Sequence, residues 1–159
     1  MLGRSKFITH DAGVLRVPSG IVSISDAAYF WDSPTEIDLG TPVDLRATVL
    51  LDSEQTVREV RMETDRELSS EARLVGELQL DFSLAIACDR VSWARGLGSM
   101  SEQEYLDFQS SLDDKWLVDR VALDGCPDGL LFRAAADAYC IYSLYDSTSR
   151  VVGCVIVAE

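Results

Sequence analysis

Hydrophobic and polar residues alternate with a period of two along much of this chain. Between positions 74 and 88 the even places hold Leu74, Gly76, Leu78, Leu80, Phe82, Leu84, Ile86 and Cys88, while Glu77, Gln79, Asp81 and Ser83 hold odd ones. Successive side chains on a strand face opposite ways, so this run lays one face on a core and the other toward water. Its length exceeds that of an ordinary strand, which predicts a bend or bulge near Asp81 and Phe82. Val43, Leu45, Ala47, Val49 and Leu51 alternate in the same manner with Asp44, Arg46 and Thr48. Residues 139–145, the polar stretch 146–149 and residues 150–157 read as a hairpin. Its second arm is apolar on both faces, the mark of a strand interior to a sheet. Weaker strands are predicted at 6–9, 14–17, 21–25, 56–62 and 130–135.

One helix is predicted, over about residues 101–116. Ser101 and Glu104 have capping-box spacing, and Tyr105, Phe108, Leu112 and Trp116 follow as one apolar stripe. Residues 96–98, Gly-Leu-Gly, are expected to be a linker ahead of it. The polar segment 64–73 is open between a loop and a short helix. The fold class expected is mainly β (α+β): an antiparallel β-sandwich or partly open barrel carrying one packed amphipathic helix. Residues 1–159 fit a single domain.

A faint internal echo runs at a spacing of 63 residues. The stretch 13–26 aligns with 76–89 through Gly13 and Gly76, Leu15 and Leu78, and Asp26 and Asp89, with aromatic residues soon after each. A duplicated β-unit (13–31 and 76–93) is one account of it, and chance similarity of two short strands is the other.

Charge changes the picture most. The 159 residues carry a formal net charge of −13, with 27 Asp and Glu against 14 Lys and Arg. Charged residues are 26% and hydrophobic residues 47% of the chain, an ordinary globular balance, so the acidity does not imply disorder. No basic patch is present to hold phosphates, which argues against direct DNA or RNA binding. No leader-like apolar region opens the sequence and no long apolar run crosses it, so a cytoplasmic protein without a membrane anchor is expected. Cys88, Cys126, Cys140 and Cys154 lack metal-finger spacing and are expected to be buried thiols, with a Cys140–Cys154 disulfide across the hairpin left open.

The phrase Val17-Pro-Ser-Gly-Ile-Val-Ser-Ile-Ser-Asp26-Ala-Ala-Tyr29 resembles a signature of uncharacterised bacterial and phage β-proteins. The usual form has proline where Ala27 stands here. The turn Asp124-Gly-Cys-Pro-Asp-Gly129 and the final hairpin are similar to the way those families end. The resemblance implies a β-rich fold in a bacterial or phage setting, and no activity.

Candidate chemistry is thin. His10-Asp11 lacks a nucleophile elbow or an orienting group, so an exposed histidine is the plainer reading. The segment beginning at Asp124 places Cys126 and Ala135 where a calcium loop needs oxygen ligands. Gly96 and Gly98 lack the P-loop lysine, and Glu102 and Glu104 would repel a phosphate from the helix start. Carboxylate pairs such as Asp26 and Asp89 arise readily among 27 acids. No catalytic residue, metal or cofactor is therefore assigned. The acidic surface itself is the candidate: Glu59, Glu63, Asp65 and Glu67, the helical acids Glu102, Asp107, Asp113 and Asp114, and the aromatic anchors Tyr29 and Trp31. The leading expectation is an immunity or inhibitor protein that occludes a basic protein partner such as a toxin or nuclease. The alternatives are a phage-encoded nucleic-acid mimic, or an unrecognised enzyme with a pocket gathering Asp26, Asp89 and Asp124.

Overall fold

A computed structural model of the chain describes residues 7–27, 30, 34–80, 84–112, 118–134 and 138–159. In chain order the elements are β1 (Ile8–Val17), β2 (Ile21–Asp26), β3 (Thr35–Asp38), β4 (Val43–Leu51), β5 (Val57–Glu63), β6 (Leu68–Gln79), β7 (Leu84–Asp89), α1 (Arg90–Gly98), α2 (Glu102–Leu112), β8 (Val118–Val121), β9 (Gly129–Arg133), β10 (Ala138–Asp146) and β11 (Val151–Ala158). Six strands form an antiparallel sheet in the order β1-β4-β5-β11-β10-β6, and five form a second in the order β3-β2-β7-β9-β8. The fold is mainly β with antiparallel sheets, one a half-barrel, as the alternation predicts.

The molecule is layered. Leu45, Val49, Val60, Met62, Ile141 and Ile156 from the six-stranded sheet meet Val22, Ile24, Ala87, Leu130 and Phe132 from the five-stranded one. The opposite face of the five-stranded sheet presents Leu84, Ile86, Cys88 and Leu131 to Trp93, Leu97 and Leu112 of the helices. This double coverage explains why every residue of β7 is buried. Trp93 anchors the second cluster: its Nε1 donates to the Pro127 carbonyl at 2.9 Å and its ring meets Phe30 and Phe108 at centroid distances of 6.4 and 6.0 Å.

Several elements depart from expectation. The run 74–88 is two strands in two different sheets, and the proposed bend at Asp81 and Phe82 lies outside the described residues. A bulge also resets the alternation: Ile141 pairs Gly76 while Tyr142 pairs Leu74, leaving Val75 extra. Leu74 is consequently 63% exposed, whereas Leu78 is buried. Segment 64–73 is neither helix nor wholly loop, since β6 begins at Leu68. As a sheet edge it has few buried positions to mark it. The predicted strands 6–9 and 14–17 are one strand, β1, bulged between Asp11 and Gly13. The four-residue strands β3 and β8 lie outside the strands that alternation predicts, each pairing on one side only.

There are two helices among the described residues rather than one, and Gly96–Leu97–Gly98 is the last turn of the first. Asp89 starts α1, accepting the Ser92 amide at 2.9 Å, and Trp93 and Leu97 bury one face. The same carboxylate takes the Ser19 amide (2.9 Å) and hydroxyl (2.6 Å), tying the β1–β2 corner to the helix. Gly20 turns that corner at φ 77°, where a side chain would stand 2.7 Å from the Thr41 carbonyl oxygen. The capping box of α2 is formed as predicted: Glu104 N–H donates to Ser101 Oγ and Ser101 N–H to Glu104 Oε1, each at 3.2 Å. The final hairpin is also formed, and β11 is interior, between β5 and β10. All four cysteines are free thiols. Cys154 pairs Ser143 and Cys140 pairs Val157, an odd separation that turns the two thiols to opposite faces and removes the open disulfide.

Candidate partner-binding surfaces

Glu59 and Glu63 project from the outer face of β5, opposite the buried Val60 and Met62. Arg61 stands between them, 3.7 Å from each carboxylate. Alternation thus places the three charges in one row, with the sign reversing along it. Asp65 and Glu67 follow in the β5–β6 connection, exposed and without a hydrogen bond or ion pair among the described residues.

Glu102 and Asp107 lie on the exposed side of α2, in the outer layer over the five-stranded sheet. Asp107 accepts from Gln103 Nε2 at 2.9 Å, a helical i, i+4 pair. Between them Leu106 is 48% exposed, and Val91 on α1 is 42% exposed. The acids singled out in the sequence therefore divide between opposite faces of the molecule. One compact partner meets one group or the other. Asp113, Asp114, Tyr29 and Trp31 lie outside the described residues.

An open cleft of about 780 Å³, which no sequence motif marks, lies at one end of the sheets. The end of β3 supplies Asp38, the start of β4 Asp44, the β5–β6 connection Asp65 and Arg66, and the turn before β11 Arg150. Arg66 Nη1 reaches Asp146 Oδ2 at 3.5 Å. The signal available in sequence was only a set of polar turns, and their convergence is tertiary. The cleft carries charge of both signs.

Asp26, Asp89 and Asp124 do not gather in a pocket. Asp26 pairs Ala85 and Asp89 pairs Val22, so the first two sit at opposite ends of the β2–β7 pair. Four residues separate them, about 13 Å along the strands, beyond the spacing of glycosidase carboxylates. Burial alone would raise the pKa of Asp89, but donors from Ser19 and Ser92 outweigh it and hold the carboxyl below its usual range. It is engaged as a cap. Asp124 is exposed in a turn. Burial pushes Cys88 up and Cys154 up to about 12, and burial likewise raises Cys126. Cys140 is raised by its contact with Glu159. None of these thiols has the depressed pKa of a nucleophile. His10 is exposed on β1 opposite Val49.

No group of three His, Cys, Asp or Glu residues able to hold a metal occurs among the described residues. No described helix is long and apolar enough to cross a membrane. No family model, curated protein or solved structure matches the chain.

Proposed function

We propose that this chain is an acidic binding protein that occludes a basic protein partner, of the immunity or inhibitor type, through the outer face of α2. The observation that carries this reading is the formal charge of −13 combined with exposed carboxylates around an exposed leucine: Glu102 and Asp107 flank Leu106. Carboxylates at the rim steer a basic partner and speed encounter, while an apolar centre supplies affinity as water leaves it. The bacterial or phage setting rests on the resemblance around Val17 and Asp26.

Nucleic-acid mimicry is the weaker reading, because Arg61 interrupts the row formed by Glu59 and Glu63. An enzyme using Asp26, Asp89 and Asp124 together is disfavoured by their separation on the two strands and a turn.

The test is affinity capture from the source cell on immobilised protein at low salt, eluted with a salt gradient, beside an E102K/D107K column. A stoichiometric basic protein that leaves at high salt, and is lost from the variant column, supports the reading. An empty column, or capture indifferent to both salt and the charge reversals, overturns it.

A further inference from the structure

We infer that the chain is a tandem duplication: one five-stranded unit, β1 to β5, fused to a second copy, β6-β7-β9-β10-β11, with the two related as subunits of a twofold dimer. The helices and β8 are an insertion in the second copy.

Strand order states the symmetry. The six-stranded sheet reads β1-β4-β5 from one edge and β6-β10-β11 from the other, and the five-stranded sheet is centred on β2 and β7. Register makes it quantitative. Positions 63 apart are equivalent in the first two strands of each unit. Val22 pairs Asp89, Ile24 pairs Ala87 and Asp26 pairs Ala85, so the equivalent residues Ile24 and Ala87 face each other. That is the signature of an isologous interface, in which i meets j and the equivalent of j meets the equivalent of i. In the last two strands equivalent positions are 94 apart. There Arg61 pairs its own equivalent, Val155, while Val60 pairs Ile156 and Met62 pairs Cys154.

Irregularities coincide as well. β1 carries its extra residue at Ala12, before Gly13, and β6 carries its own at the equivalent Val75, before Gly76. The β4–β5 ladder slips between Leu50 and Leu51, and the β10–β11 ladder between the equivalent Leu144 and Tyr145. Bulges are inherited features of a family, and independent sandwiches have no reason to share them. The two hairpin turns complete the match. Asp52 accepts the amides of Glu54 and Thr56, and Asp146 those of Thr148 and Arg150. Gln55 and its equivalent Ser149 take φ 61° and 62°.

Between β2 and β3 the first unit has only a short connection, whereas α1, α2 and β8 stand between β7 and β9 in the second. Glu102, Leu106 and Asp107 therefore belong to the part that the symmetry does not generate.

The symmetry dictates where the chain can be cut and rejoined. Eight residues connect Glu63 to Ala72, whose equivalents are Val157 and Thr9. With residues 1–6 replaced by four Gly/Ser residues, the joint of Ala158, Glu159, that linker, Phe7 and Ile8 has the same length. A circular permutant opened between Asp65 and Arg66 with that joint is expected to fold, melting within ~5 °C of the parent and no lower than one with a twelve-residue insert. Folding only with the longer insert, or with neither, overturns the equivalence of the two connections. A second variant leaves the chain uncut and exchanges residues 52–56 with 146–150. Cooperative melting within ~5 °C of the parent is expected, and its loss overturns the proposal by itself.

Discussion

Gln55 and Ser149 are the two described non-glycine residues with left-handed backbone, and each is the fourth residue of a five-residue turn opened by Asp-Ser. The αL conformation brings Cβ close to the following carbonyl, a strain that β-branching makes much worse. Gln55→Val and Ser149→Val are each expected to destabilise by about 1–2 kcal/mol, while the glycine variants stay within about 1 kcal/mol of the parent. Urea unfolding checks all four. The two positions should respond alike, and a large valine penalty at one and none at the other would contradict their shared conformation.

Acid should act on the second turn in particular. Donors from Thr148 and Arg150 hold the Asp146 carboxyl down at about 2, with Arg66 adding to them. A carboxylate whose pKa is lower folded than unfolded stabilises the fold above its unfolded value, and that stability is lost as pH falls toward the folded one. The parent should therefore lose more stability between pH 4 and pH 2 than D146N, read as the urea midpoint at each pH. Parallel losses in the two proteins would show that Asp146 is not responsible.

Trp93, on the inner face of α1, is fully buried, with its indole N–H on the Pro127 carbonyl. Trp93→Ala should cost about 3–5 kcal/mol through the cavity left between the helices and the sheet. Trp93→Phe retains much of the packing but orphans that carbonyl, at about 1–3 kcal/mol. Chemical denaturation followed by circular dichroism separates the two.

Glycines of opposite character lie in β11 and α1. A side chain on Gly153 would collide with the Met62 carbonyl oxygen across the β5–β11 pair, whereas nothing stands within 4 Å of one built on Gly98. Gly153→Ala should destabilise by about 1–3 kcal/mol, through parting of the central strands. Gly98→Ala should stabilise α1 by about 0.5–1 kcal/mol. Thermal melts of both report the sign directly.

On α2, Leu106→Ala and E102K/D107K should leave the melting temperature nearly unchanged, because all three side chains are exposed. Surface plasmon resonance against a captured partner should show the charge reversals slowing association and the leucine truncation hastening release.

The sequence by itself determined the local features: the period-two strands, the last hairpin with its buried second arm, the reciprocal cap of Ser101 and Glu104, and the acidic surface. Each is written in neighbouring residues, through side-chain alternation or a side chain bonding a nearby amide. Alternation marks a face but not the sheet that receives it, so the run through Gly76 and Leu84 looked like one strand and is two. One inserted residue, Val75, turned Leu74 outward without altering the pattern. Helix α1 was obscured by Gly96 and Gly98, whose low intrinsic helicity is overridden by burial of Trp93 and Leu97 and by the Asp89 cap. The division of the candidate acids between opposite faces, the cleft beside Asp65 and the meeting of Ile24 with Ala87 were decided by tertiary structure alone. Strand partners are chosen through backbone hydrogen bonds, which every residue but proline can make, and so they leave almost no trace in the side chains.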